Sequence, residues 1–367
     1  MYDFAVVGAG PAGSYFSHKS SQRGNDIIVL ESGEVGAPLS CSGHVSLDLW
    51  DHLKEKNKSE LIQNEIFGAR FHVEGHSEKT YKFYKDEPIS NVIDRVGLDR
   101  CLADMARKSG AEVKERHTVI GVEEFKEKTL VKVRCPEGKK EIEAKMVVGC
   151  DGPKSRVGRS LGIESPDEFL HGILGFESAK NFGDFVDVYL NIPGFFSWRI
   201  PRGDAGVEYG IAGSMNTDII GKFEELLGNL NVEVENKCSG IIPIGPPKCV
   251  SSRRGFLIGD SAGQTKPFTG GGILYGMAAS ECAARVVDPN KPETIKLYEM
   301  GWRKDIGNEI KMGKLIRKGY SLPRSIQRVG LGFLSGKIGV HMDRPTSLFS
   351  GEQFGAMFMR GRRKYKR

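Results

Sequence analysis

The sequence has 367 residues, 39% hydrophobic and 27% charged, the proportions of a globular chain long enough for about two domains. Its net charge of +6 is matched by the tail, where Arg360, Arg362, Arg363, Lys364, Lys366 and Arg367 fall together; the rest is balanced, which argues against a nucleic-acid-binding body. No run approaches the ~18 apolar residues of a membrane span. The chain opens directly into a strand pattern without a secretory leader, so the expected compartment is the cytoplasm. The basic tail reads either as a solvated terminus or as peripheral attachment to anionic headgroups on the cytosolic face of the membrane.

Taken in chain order, residues 2–7 (YDFAVV) predict a buried strand. A glycine-rich turn, a helix to about residue 22 and a second strand from Asp26 to Leu30 complete a βαβ opening. Residues 97–109 carry a helical period. Strand-like material runs from Val113 to Val122, at Val131–Val133 and from Glu141 to Val148. Further strands with aromatic alternation are predicted at Phe67–Val73, Thr80–Tyr84, Gly172–Glu177, Val186–Leu190 and Phe195–Ile200. These do not fit a parallel doubly wound sheet and predict an antiparallel sheet layered beside it. From Glu293 the pattern is helical, with an apolar, glycine-spotted segment at Leu331–Val340.

The seven cysteines form no CxxC pair and no zinc spacing, and no metal site is expected. Cys238 and Cys249 bracket the turn segment IIPIGPP and leave a disulfide across it open.

Gly8-Ala9-Gly10-Pro11-Ala12-Gly13 is a GxGxxG turn placed directly after a strand. Gly8 permits the turn, Gly10 the approach of a pyrophosphate and Gly13 close helix–strand packing, with the helix N-terminus facing the phosphates. Glu31 ends the second strand, where a carboxylate accepts the adenosine ribose hydroxyls. Dinucleotide binding follows. Gly270-Gly271-Gly272 leads into a helix beginning near Ile273, whose free amides suit the anionic edge of a reduced flavin.

Two further segments resemble the flavoprotein group that includes aromatic hydroxylases and geranylgeranyl reductases. Asp151-Gly152-Pro153-Lys154-Ser155-Arg156-Val157 is similar to its DGxxSxVR element, and Gly259-Asp260 to its GD element. The resemblance implies FAD as cofactor. It places Asp260 on a ribityl hydroxyl, Asp151 near the pyrophosphate and Arg95 close to the flavin; Pro267 and Phe268, just before the Gly270–Gly272 run, would line the flavin's edge.

Residues 193–201 (PGFFSWRIP) resemble the YxWxFP signature of archaeal geranylgeranyl reductases (the digeranylgeranylglycerophospholipid reductase family), with Phe196 for Tyr and Ile200 for Phe, and Gly210 and Gly213 following. The loop 38–43 resembles that family's cysteine-bearing loop, Tyr298–Lys304 its YExxWRK helix and Asp343-Arg344-Pro345 its DxP. The resemblance implies reduction of C=C bonds in the geranylgeranyl chains of archaeal ether phospholipids by hydride from reduced flavin. Phe196 and Trp198 would line the prenyl chain, on the face opposite Phe195. Cys41 and His44 are the local proton-donor candidates, Cys41 also lying near the flavin. The electron donor is NAD(P)H or a ferredoxin-like protein, since no second GxGxxG follows a strand.

The expected fold is α/β (α+β), an aromatic-hydroxylase-like architecture. A Rossmann-type FAD-binding domain (1–65, 91–160, 251–290) interleaves with an antiparallel-sheet substrate domain (66–90, 161–250), ahead of C-terminal helices (291–367). Two other readings stand beside the reductase. One is a flavin-dependent monooxygenase or halogenase, because FSWRIP also resembles the halogenase WxWxIP. The other is a non-catalytic FAD-containing prenyl-lipid binder.

Overall fold

The computed structural model describes residues 1–37, 41–73, 79–337 and 341–349. The chain divides into two compact units, each assembled from three separate stretches. The first comprises Met1–Leu39, Arg95–Phe169 and Ile242–Ile310; the second, Ser40–Asp94, Leu170–Ile241 and Lys311–Arg367.

The first unit is built on the strand Tyr2–Val7, which pairs in parallel with Ile27–Leu30 on one side and Gly138–Gly149 on the other. Glu112–Lys114 extends one edge in parallel, and the short strand Gly255–Leu257 also pairs in parallel with Gly138–Gly149. Thr118–Glu124 and Thr129–Cys135 form an antiparallel meander on the other edge. The strand material expected from Val113 to Val122 is therefore two strands, broken at a turn where Arg116 adopts φ 58°. Val6, Val29 and Val148, on three adjacent strands, are fully buried, which is why the first two strands and the end of the third read as apolar runs rather than as alternations.

Helix Pro11–Ser21 starts with Pro at its first turn, where a missing N–H costs nothing. Phe16 from this helix meets Phe4 and Phe256 edge-on at 5.3 and 5.9 Å, forming the aromatic centre of the core. Tyr298 and Trp302, both without exposed surface, pack into the same cluster.

The second unit centres on an eight-stranded sheet. Its order is Glu235–Pro243, Phe169–Glu177, Val207–Ser214, Phe195–Pro201, Phe185–Ile192, Gly68–Val73, Lys79–Tyr84 and Gly336–Lys337. Four junctions are antiparallel, as expected. Two are parallel: Phe185–Ile192 with Gly68–Val73, and Gly336–Lys337 with Lys79–Tyr84. Parallel pairing requires long crossovers, and residues far apart in sequence supply them here. Helix Ile219–Leu230 packs Phe223, Leu226 and Leu227 onto Tyr209 and Ile211 of one sheet face. Asp218 caps its start by accepting the Gly221 amide at 3.0 Å. A separate three-stranded sheet joins His44–Ser46, Ser90–Ile93 and Ile62–Ile66.

All seven cysteines are free thiols, so the disulfide left open between Cys238 and Cys249 is not formed. Cys249 is exposed, and its thiol lies 3.4 Å from the Ser251 carbonyl and 3.2 Å from the Glu299 carboxylate. The basic tail falls outside the described residues, as do residues 38–40 of the 38–43 loop. No described helix is long and apolar enough to cross a membrane.

Candidate functional site: a dinucleotide cradle and an aromatic sheet face

The glycine turn of the first unit is shaped by what cannot fit beside it. Gly8 adopts φ +99°, and a Cβ at Gly13 would lie 2.0 Å from the Gly8 carbonyl oxygen. Only glycine at both places lets the helix start this close to the strand. Gly10, by contrast, has nothing within 4 Å of where its Cβ would stand. It caps helix Pro11–Ser21 with extended backbone and no side-chain partner. Open space in front of uncapped helix amides is what a pyrophosphate requires.

Glu31 closes the turn from the second strand. One carboxylate oxygen accepts the Ala9 amide at 2.8 Å; the other accepts the Gly33 amide at 3.0 Å and the Ser32 hydroxyl at 3.1 Å. Ala12 joins the first motif to the third: its Cβ lies 3.0 Å from the Cβ position of Gly259 and 3.3 Å from that of Gly276. The Ser280 hydroxyl donates to the Ala12 carbonyl at 2.8 Å. Segments some 250 residues apart thereby meet at three small residues.

Asp260 sits in a short 3₁₀ turn, Gly259–Ala262, with its carboxylate beneath the Gly272 backbone; a Cβ there would lie 2.4 Å from Oδ1. Burial pushes this carboxyl up to about 6, and the Arg95 guanidinium pulls the other way. Among the described residues no donor reaches the Asp260 carboxylate, which leaves it available to a sugar hydroxyl. Arg95 is itself buried and held by Asp99 through two bonds of 2.6 and 3.1 Å. Gly272 caps helix Ile273–Val286 without a side-chain bond, so the amides at Ile273 remain open. Gly271 stands close to the Lys266 side chain, Pro267 is buried and Phe268 half-buried.

Asp151 has a different task. Its carboxylate accepts the Ser155 hydroxyl at 2.6 Å and the Arg156 and Val157 amides at 2.7 and 3.0 Å. It satisfies the first amides of helix Arg156–Ser160, whose N-cap Ser155 accepts the Gly158 amide at 2.9 Å, and holds the DG loop, where the Cys150 carbonyl backs the Gly8 turn.

The YEMGWRK helix clamps the GD segment from behind. The Tyr298 hydroxyl donates to the Leu257 carbonyl at 2.7 Å and accepts from Gln264 Nε2 at 3.0 Å, while Gln264 Oε1 accepts the Gly259 amide at 2.7 Å. Glu299 accepts the Val250 amide and the Ser251 hydroxyl, and Arg303 donates to the Pro247 and Lys248 carbonyls. This motif thus has a supporting role, reaching the Asp260 turn through hydrogen bonds.

In the second unit, Trp198 is paired in register with Gly210, whose missing Cβ makes room for the indole: a Cβ there would lie 2.2 Å from the ring. The indole N–H donates to Glu208 at 2.8 Å. Glu208 has no exposed surface and pairs with Arg202 at 2.9 Å. Burial pushes its carboxyl up, while Arg202 and Trp198 pull it back. Arg202 is spread over further acceptors: the Ser42 carbonyl, Gln63 Oε1 at 2.7 Å and the Ile93 carbonyl at 3.2 Å. The position of this ion pair was not legible in the sequence, because one exposed and one buried charge look alike as letters.

Phe196 and Trp198 share a face, their rings 5.9 Å apart at 70°. Phe195 departs from the expectation that it points the other way. Its ring stacks on Phe196 at 4.4 Å and 11°, and both meet Tyr320 edge-on. Phe195 opens its strand beside a hairpin where Gly194 adopts φ +76° and the facing strand shifts register between Tyr189 and Ile192, so strict alternation is not kept at this end.

The two proton-donor candidates also lie in this unit. His44 Nε2 bonds the Ser90 hydroxyl at 2.7 Å. Cys41 is half-buried. The Cys238 thiol is pushed up by burial first, then by Glu208 and Cys41, and Arg202 donates both to the carbonyl of Ser42, the residue after Cys41, and to Glu208.

Residues 1–180 match the family model described as an FAD binding domain. A digeranylgeranylglycerophospholipid reductase from Methanosarcina acetivorans is 31% identical, covering 86% of this chain and 84% of that protein. The chain belongs to the digeranylgeranylglycerophospholipid reductase family. It is an FAD-dependent oxidoreductase, and the cradle around Gly10 and Asp260 fits that cofactor. A geranylgeranyl bacteriochlorophyll reductase-like protein from Thermoplasma acidophilum has the same fold, with a TM-score of 0.85 over 98% of both chains at 21% identity. The anhydrotetracycline hydroxylase OxyS from Streptomyces rimosus shares the fold more loosely, with a TM-score of 0.66 at 19% identity over 95% of this chain and 75% of that one. This reductase-family chain thus has the expected hydroxylase-like architecture.

Proposed function

We propose that this protein reduces C=C bonds in the geranylgeranyl chains of an archaeal ether phospholipid. The observation that carries the reading is the family match along most of the chain, which favours a reductase over a monooxygenase, a halogenase or a non-catalytic binder. FAD, when bound and reduced, supplies the hydride.

The chain's residues do the rest. Gly8, Gly10, Ala12, Gly13 and Glu31 hold the adenosine diphosphate half. Asp260, with Arg95 tempering its charge, takes a ribityl hydroxyl, and the amides of Gly271, Gly272 and Ile273 face the negative edge of the ring. Asp151 shapes the loop behind the turn. Pro267 and Phe268 border the ring.

An isolated alkene offers no carbonyl to polarise, so positioning dominates. Phe196 and Trp198 supply an apolar face for the prenyl chain, with Glu208 fixing the indole's angle. Cys41, whose neighbour Ser42 shares Arg202 with Glu208, is the favoured proton source, and His44 the second. Reducing equivalents come from NAD(P)H or a ferredoxin-like protein, and the basic tail assists attachment to anionic membrane on the cytoplasmic side.

The test is anaerobic. Dithionite-reduced protein is mixed with digeranylgeranylglycerophospholipid, and the lipid is examined by mass spectrometry. Two hydrogens gained per reduced bond, without oxygen, support the reading. Turnover only in the presence of oxygen, with an oxygenated product, refutes it.

A further inference from the structure

Helix Arg324–Leu334 turns one face toward the protein and the other to solvent. On the inner side, buried Gln327 donates to the Gly319 and Tyr320 carbonyls at 3.3 and 3.0 Å. A Cβ at Gly332 would lie 3.4 Å from the Tyr81 ring, and Leu331 and Leu334 are half-buried. On the outer side, Ile326, Val329 and Phe333 recur at i, i+3 and i+7 and are 52%, 75% and 68% exposed. Leu322, one turn earlier, is 45% exposed. Isolated apolar residues on a surface are ordinary; a continuous stripe on one helix face marks something that covers it.

Charge identifies the cover. Residues 311–342 contain Lys311, Lys314, Arg317, Lys318, Arg324, Arg328 and Lys337 and no Asp or Glu. A second copy seated on this face by two-fold symmetry would bring two such basic stretches together. An anionic lipid surface instead meets both features, taking apolar side chains below the headgroups and Lys and Arg among them.

We propose that helix Arg324–Leu334 lies in the plane of an anionic phospholipid bilayer, with Ile326, Val329 and Phe333 at the acyl boundary. At about 16 Å it is far too short to span the ~30 Å hydrocarbon core. The inference deepens the proposed function, because a phospholipid substrate resides in a bilayer, yet it is read by an assay in which nothing turns over.

Full-length protein is sedimented with phosphatidylglycerol–phosphatidylcholine vesicles and with pure phosphatidylcholine vesicles, beside Val329→Asp/Phe333→Asp and a chain ending at Phe349. The wild type binds the anionic vesicles, more weakly in high salt. The double variant binds at least about tenfold less well, since each charged substitution removes an apolar side chain that the bilayer would bury. It keeps the wild-type melting temperature. The shortened chain retains vesicle binding that the double variant lacks. Equal vesicle binding by wild type and double variant overturns the inference, as does complete loss of binding in the shortened chain. So does light scattering that shows a dimer which only the double variant dissociates, with vesicle binding unchanged. A protein that reduces no lipid but shows the vesicle pattern sinks the proposed function and leaves this inference standing.

Discussion

The indole N–H of Trp198 donates to a carboxylate oxygen of Glu208 at 2.8 Å, and the other carboxylate oxygen of Glu208 meets Arg202 at 2.9 Å. A half-buried aromatic on the proposed chain-binding face is thus oriented by a fully buried ion pair. Glu208→Ala leaves the Arg202 charge buried and the indole without its acceptor, and is expected to cost about 3–5 kcal/mol of stability. Glu208→Gln keeps an acceptor for the indole and is expected to lose less. Melting temperatures and lipid turnover of the two variants check this. Equal losses in both would show that the indole bond contributes nothing.

Trp198→Ala removes the face itself. Turnover is expected to fall on the order of a hundredfold if the chain shifts by about 1 Å, with FAD content preserved. Phe195→Ala opens a cavity beside Phe196 and Tyr320 and is expected to cost about 3–5 kcal/mol. Denaturant unfolding and turnover separate the two effects. Normal turnover in Trp198→Ala would remove the residue from the site.

Asp260 carries a pH signature. Its folded pKa, raised to about 6 by burial, lies above the ordinary carboxylate value. The folded state therefore holds the proton more tightly, and ionisation opposes folding. The penalty is absent below the ordinary carboxylate range, grows as pH rises from about 4 to about 6, and is complete above that. In the apoprotein, Asp260→Asn should match the wild type near pH 4 and exceed it near pH 8, by at most about 3 kcal/mol. The same variant should release FAD more readily, since a charged hydrogen-bond partner contributes about 1.5–3 kcal/mol and a neutral one less. Parallel stability profiles across this pH range would contradict the raised value.

Tyr298→Phe deletes one oxygen from the clamp behind the Asp260 turn. The Leu257 carbonyl and the Gln264 amide lose their partner in a region without exposed surface, at an expected cost of about 1–3 kcal/mol. Because Gln264 holds the Gly259 amide, FAD retention should fall with stability. Calorimetry with flavin quantitation tests the coupling; unchanged flavin content would confine Tyr298 to packing.

The sequence by itself determined the elements whose chemistry is local. A GxGxxG turn between a strand and a helix, an acid at the end of the second strand and a GD turn after an apolar run each state their geometry within a few residues. The period of two around Phe196 and Trp198 stated which pair shares a face. Only the tertiary structure decided what depends on partners distant along the chain. It brought Ala12, Gly259 and Gly276 into contact and set Asp260 under Gly272. It gave Trp198 the buried Glu208–Arg202 pair as its anchor and stacked Phe195 on Phe196 at the hairpin end of their strand. The parallel junctions of the second sheet belong with these. The physical reason is that burial and hydrogen-bond partnership are properties of the packed chain: Glu208 and an exposed glutamate are the same residue until folding removes water from one of them.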